Sequence, residues 1–210
     1  VAMSDHGFKS YRRQLNLNTW LYENGFLALK SPERRDGIGN YANVDWKRTR
    51  AYAVGFSGIY LNLVGREVPG LLHPGEEAEE VRAEIIRLLS AETDPKTGVR
   101  PALRVYRRED VYHGAEVEDA PDLIVGFNLH YGCSDDSATG RVARELYKDT
   151  DDAWGGSHLM DPSVVPGILL VNRPITASDP DLKDLPVSIL GDFGITPEGM
   201  RGRRVWKRED

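Results

Sequence analysis

Val1-Ala2-Met3-Ser4-Asp5-His6-Gly7 is the stretch whose reading decides the fold: an apolar triplet runs directly into Ser-Asp-His-Gly. A strand averages about 5–6 residues. The triplet therefore reads as the tail of a strand that begins upstream, and the chain as starting in the middle of a larger protein. In a regular strand, adjacent side chains point to opposite faces. Asp5 and His6 can serve one ion only if the strand has already ended and the backbone turns, and Gly7 supplies the freedom for that turn. The carboxyl ends of strands are also where α/β folds place their sites. On these four residues alone, an Asp-His pair in an ordinary turn is the simpler reading.

Working outward, the chain alternates short strand patterns with helical ones. Residues 14–24 predict a helix with Leu17, Trp20 and Leu21 on one face, Asn16 or Asn18 as its cap and Gly25 as its stop. Phe26 to Leu29 predicts a brief strand, and 31–50 a polar loop. From Ala51 to Val64, apolar and aromatic residues punctuated by Gly55 and Gly58 predict two short strands. Residues 75–90 predict a solvated outer helix, with Ala78, Val81, Ile85, Leu88 and Leu89 at helical spacing and Glu76 and Glu77 in its first turn.

Strands follow at 103–107 and 122–127. Residues 134–157 read as loop with a helical turn around Val142–Tyr147. Gly167 to Val171 is a buried-strand pattern, and Asp184 to Phe193 a compact helix with Pro186 in its first turn and Gly194 as its stop. This alternation predicts an α/β assembly.

The bulk composition narrows the partners. Forty per cent apolar residues suffice for a core, and 27 basic against 33 acidic residues give a net charge of −6. No long basic run exists, which argues against a duplex nucleic-acid partner but not against a small phosphate ester held by metal ions. Cys133 is the only cysteine, so no internal disulfide forms and a reducing, cytoplasmic setting fits best. No stretch approaches the ~20 apolar residues needed to cross a bilayer, and no signal-peptide pattern is present; no membrane partner is expected.

A second segment with chemical potential is Gly155-Gly156-Ser157-His158, leading into Leu159 through Leu170. A His beside glycines, in a loop that leads to a strand, suits a metal ligand and a plain surface His equally. Asp161 precedes Pro162 and reads as the start of a turn. Asp122 reads as the cap of a strand, and His113 and His130 as structural or surface residues. Arg66 reads as a surface Arg near Glu67. Trp154 reads as a packing residue.

Together these segments carry a resemblance. Ser4-Asp5-His6-Gly7-Phe8, then Gly156-Ser157-His158 with Asp161-Pro162 and Val165-Pro166-Gly167-Ile168-Leu169, then the closing 181–202 stretch occur in family order. With Gly55 through Arg66 and Ala120 through Ile124, they resemble the C-terminal part of type I phosphodiesterase/nucleotide pyrophosphatase proteins of the alkaline phosphatase superfamily. The nearest likeness is to that superfamily's predicted phosphohydrolase/phosphomutase group.

The resemblance implies part of a doubly wound α/β core. Residues 1–210 would form a single C-terminal portion, with 51–133 as a candidate subdomain. It also implies two divalent metal ions, Zn2+ or alternatively Mn2+. On the family pattern, Asp5 and His6 bind the metal that also contacts the nucleophile, and His158 binds the other. The nucleophile, an early Asp and a further Asp and His precede this stretch in family sequences and have no counterpart here. The implied function is a metal-dependent phosphodiesterase or phosphohydrolase, represented by a fragment that is inactive alone and partnered by the missing N-terminal part of the same protein. A phosphomutase and a non-catalytic module are the alternatives. An orphaned edge strand invites pairing with another chain, so a homo-oligomer is also expected.

Overall fold

The computed structural model describes residues 1–35, 39–150, 153 and 155–207. Trp154 and part of the 31–50 loop lie outside the described residues. In chain order the strands are β1 (Ala2–Ser4), β2 (Lys9–Leu15), β3 (Ala51–Val54), β4 (Gly58–Leu61) and β5 (Ala102–Arg107). They continue with β6 (Leu123–Phe127), β7 (His130–Cys133), β8 (Tyr147–Asp149), β9 (Gly156–Ser157) and β10 (Ile168–Leu170). The helices are α1 (Leu17–Glu23), α2 (Glu76–Ala91), α3 (Arg108–Val111), α4 (Asp135–Ala138) and α5 (Asp184–Asp192). The mixed α/β class expected from the sequence holds. The chain divides into two compact units, Phe8–Val165 and Val1–Gly7 with Pro166–Asp210.

The larger unit holds two four-stranded sheets. In one, the order is β3-β4-β6-β5, with every pair antiparallel. Its residues alternate as a half-buried sheet demands. Ala51, Ala53, Ile59, Leu61, Leu123 and Val125 are buried in the core, and the opposite face carries Tyr52, Tyr60, Ile124 and Tyr106, cross-strand neighbours by register. Helix α2 packs on β5 through the predicted stripe of Ala78, Val81, Ile85 and Leu89. In the other sheet β2 is central, parallel to β7 and antiparallel to β8 and β9.

Several expectations are corrected here. Phe26–Leu29 forms no strand: Phe26 and Leu27 are buried, but their amides both donate to the Leu21 carbonyl at the end of α1. The predicted helical turn at Val142–Tyr147 is absent, and the helix in that region is α4, capped by the Ser134 hydroxyl accepting from the Ser137 amide. Arg66 is not a simple surface residue. Its Nη2 donates to Asp122 Oδ2 at 2.6 Å and to the Leu61 carbonyl at 2.7 Å, while its Nε donates to Glu67. Asp122 is fully buried and also accepts from the Leu61 amide. A buried carboxylate needs such partners, and these tie β6 to the end of β4.

The smaller unit pairs β1 with β10 antiparallel, Met3 opposite Leu169. The expected strand at the start of the chain is therefore present. Its core is Leu185, Val205 and Trp206, with Leu169 and Val171 packed against them. The β10 pattern is not the buried one predicted, because Ile168 and Leu170 face solvent and only Leu169 turns inward. Helix α5 starts where Asp184 accepts the Arg203 amide at 2.8 Å and the Asp181 amide at 3.0 Å. Those two hydrogen bonds hold its carboxyl below the usual carboxylate range. Gly194, with φ of 71°, follows the helix and takes up the left-handed conformation that ends it.

Candidate functional site

Strand β1 ends at Ser4, and the chain bends at Asp5 and His6. That bend is what lets neighbouring side chains converge. His6 Nε2 lies 3.8 Å from Asp5 Oδ2. Two ligands about 2.0–2.2 Å from a shared tetrahedral ion lie roughly 3.4 Å apart, so a small side-chain movement would bring the pair to the spacing of one metal. His6 Nδ1 lies 2.9 Å from the Gly7 carbonyl, an acceptor only, so Nδ1 carries the proton and Nε2 the lone pair. A backbone carbonyl fixing the tautomer in this way is the usual support of a metal-binding imidazole. Asp5 is 65% and His6 38% exposed at the side chain, so the pair is open to solvent.

His158 belongs to the larger unit. It follows β9, which pairs with β2 at Ser10–Gly156 and Lys9–Ser157. A Cβ at Gly156 would displace the ring of Phe8 from its place against this strand. The Phe8 and His158 rings lie 6.0 Å apart, tilted by 34°.

Downstream, the loop is pinned by Asp161, which is fully buried. The Asp161 amide donates to the Phe127 carbonyl at 2.9 Å. Its Oδ1 accepts from the Ser163 amide at 3.0 Å and the Ser163 hydroxyl at 2.5 Å, and its Oδ2 from the Tyr106 hydroxyl at 2.6 Å. Burial opposes ionisation of this carboxyl, but the bonds from Ser163 and Tyr106 outweigh it and hold it below the ordinary range. Asp161 thus begins a turn, as its place before Pro162 predicts, and is a poor ligand because its lone pairs are taken.

His130 is exposed, with φ of 74° and Nδ1 3.1 Å from the Ser10 carbonyl, and His113 is exposed. Among the described residues, no group of three or more His, Cys, Asp or Glu side chains could hold a metal ion. Asp5 and His6 are close enough to approach one ion with a small side-chain movement, and no complete shell is present among the described residues.

Beside His158 lies a cleft of about 360 Å3 on the outer face of the β3-β4-β6-β5 sheet. Tyr106, Val111, Ile124, Gly126, His158 and Met160 are among the residues that line it. The sequence gives no local signal for it, because its parts come from four separated segments.

A comparison with family models points to a class of phosphoric ester hydrolases. A family model described as type I phosphodiesterase / nucleotide pyrophosphatase matches residues 1–148. The chain belongs to the type I phosphodiesterase/nucleotide pyrophosphatase family, whose activity is of the phosphodiesterase and pyrophosphatase type. The matched span takes in Asp5, His6 and the 51–66 and 120–124 stretches; His158 and the 181–202 motif lie outside it. No curated protein and no solved structure matches the chain.

Proposed function

We propose that this chain contributes to a metal-dependent phosphodiesterase centre, with Asp5 and His6 as ligands of one divalent ion and His158 as a ligand of a second. The observation that carries the reading is the 3.8 Å approach of His6 Nε2 to Asp5 Oδ2 beyond the end of β1, in a chain of the phosphodiesterase family. Imidazole with carboxylate is a donor set for Zn2+, and Mn2+ is the alternative. Bound ions would stabilise charge on the phosphoryl oxygens and on the attacking and leaving groups.

The chain's own residues do the positioning. The Gly7 carbonyl holds the His6 ring with its lone pair on Nε2, and Asp161, through Ser163, Tyr106 and the Phe127 carbonyl, holds the loop that carries His158. A catalytic zinc takes about three protein ligands, so two ions need roughly twice the three residues proposed. We read the remaining ligands, and a Thr or Ser nucleophile, as supplied by polypeptide outside these 210 residues, with this chain forming a later part of the family's domain.

The test is zinc competition against a chromophoric chelator. The chain should bind Zn2+ weakly, and Asp5→Asn and His6→Ala should each abolish that binding. Unchanged zinc affinity in both variants would overturn the assignment.

A further inference from the structure

The cleft beside His158 has a chemistry of its own. Its walls are mainly apolar, from Val111, Ile124, Leu159, Met160 and Pro162. Among the described residues no Lys or Arg lines it; apart from His158, the ionisable groups lining it are the exposed Asp110 carboxylate and the Tyr106 phenol. The phenol is committed to Asp161 at 2.6 Å. A nearby cation, Arg104, reaches the Tyr106 phenol from outside the lining; a phosphate among the apolar walls would be repelled by Asp110. A neutral apolar group would meet the side chains of Val111, Ile124, Leu159, Met160 and Pro162.

The volume agrees. A dry cavity of roughly 150 Å3 suffices for benzene, and ligand sites run from about 300 to 1,000 Å3. At about 360 Å3 the cleft has room for a ring-sized group. Its walls are also preorganised. Gly126 lets Asp161 lie against β6, where a Cβ would collide with the carboxylate and with the Tyr106 ring. The buried Asp161 then sets the backbone of Leu159 and Met160.

We propose that this cleft is the subsite for the organic part of the substrate: a neutral, apolar alcohol moiety of one ring or comparable size, with its phosphoryl group at the His158 end. Resting on the reading of His158 as a metal ligand, the inference names the substrate class as a simple aryl or alkyl phosphate ester. An ester bearing further phosphates is disfavoured by Asp110.

The experiment follows the Met160 methyl signal in the 13C-methyl-methionine-labelled full chain. Phenol, phenyl phosphate and inorganic phosphate are the probes. Phenol and phenyl phosphate should shift Met160, and inorganic phosphate should not. Val111 is 41% and Leu159 42% exposed, so Val111→Asp and Leu159→Asp should both fold, and each should weaken phenol binding by about tenfold.

With Zn2+ added, phenyl phosphate should gain affinity over phenol, and His158→Ala should remove that gain while leaving phenol binding intact. Phenol that leaves Met160 unmoved, or that binds both Asp variants as it binds the parent, overturns the cleft whatever zinc does. Phenol that binds as predicted, with no zinc-dependent gain for phenyl phosphate, overturns the metal reading and leaves the cleft standing.

Discussion

The hydroxyl of Tyr106 donates to Asp161 Oδ2 at 2.6 Å and so joins strand β5 to the loop that carries His158. The two residues are 55 positions apart, and neither is a candidate ligand. The geometry of the loop nonetheless depends on them, because Asp161 is the one buried carboxylate between His158 and β10.

Asp161→Asn should destabilise the chain at pH 7 by about 1–3 kcal/mol, the cost of disturbing a buried, charge-assisted network. The sign of its pH dependence follows from the depressed carboxyl. Its unfolded value is about 3.9, so the stabilisation is complete above that pH and lost as pH falls through the lower folded value. Urea unfolding should show the gap between parent and variant closing below about pH 4. A gap constant from pH 7 to pH 2 would contradict this account.

Gly126→Ala should also destabilise. The added methyl meets the Asp161 carboxylate and the Tyr106 ring, and overpacking of this kind costs about 1–3 kcal/mol. Thermal unfolding measures it, and the accompanying shift of the His158 ring resonances reports movement of the loop. An alanine variant as stable as the parent would mean that the loop has room it does not show.

Much of this fold is legible from local pattern. Helix α2 declares itself through Ala78, Val81, Ile85 and Leu89, and α5 through its Gly194 stop. Strand β2 does not, because Lys9, Ser10, Arg12 and Arg13 hide it; Arg13 is satisfied by ion pairs to Asp94 and Asp149 that sequence spacing cannot reveal. Strand β7 begins at His130, whose positive φ the apolar pattern around it does not signal. At the candidate site, the turning of Asp5 and His6 beyond a strand end was readable from Gly7. The support of His158 by Tyr106 was not, since it joins elements far apart in the chain.

Cys133 should be inert. Burial pushes its thiol up to about 12, and only the thiolate reacts. Ellman's reagent at pH 8 should leave the folded chain untouched for as long as it stays folded and label it fully in denaturant. Rapid labelling of the native chain would show that the region around β7 opens.

Hydrolysis of bis-p-nitrophenyl phosphate by this chain alone should stay at background with Zn2+ or Mn2+ added. Three ligands do not complete two metal shells, and one loosely held ion cannot stabilise both the attacking and the leaving oxygen. Robust metal-dependent turnover that disappears in His158→Ala would show that the chain completes its own site.

The most direct measurement is long-range 1H–15N NMR of the histidine rings during Zn2+ titration. The account predicts that His6 starts as the Nδ1–H tautomer and shows a metal-induced shift at Nε2, lost in Asp5→Asn. It further predicts a metal-induced shift at His158, with His113 and His130 unaffected. A His6 ring that ignores Zn2+, or that responds equally with and without the Asp5 carboxylate, would contradict the claim that these two neighbours share an ion.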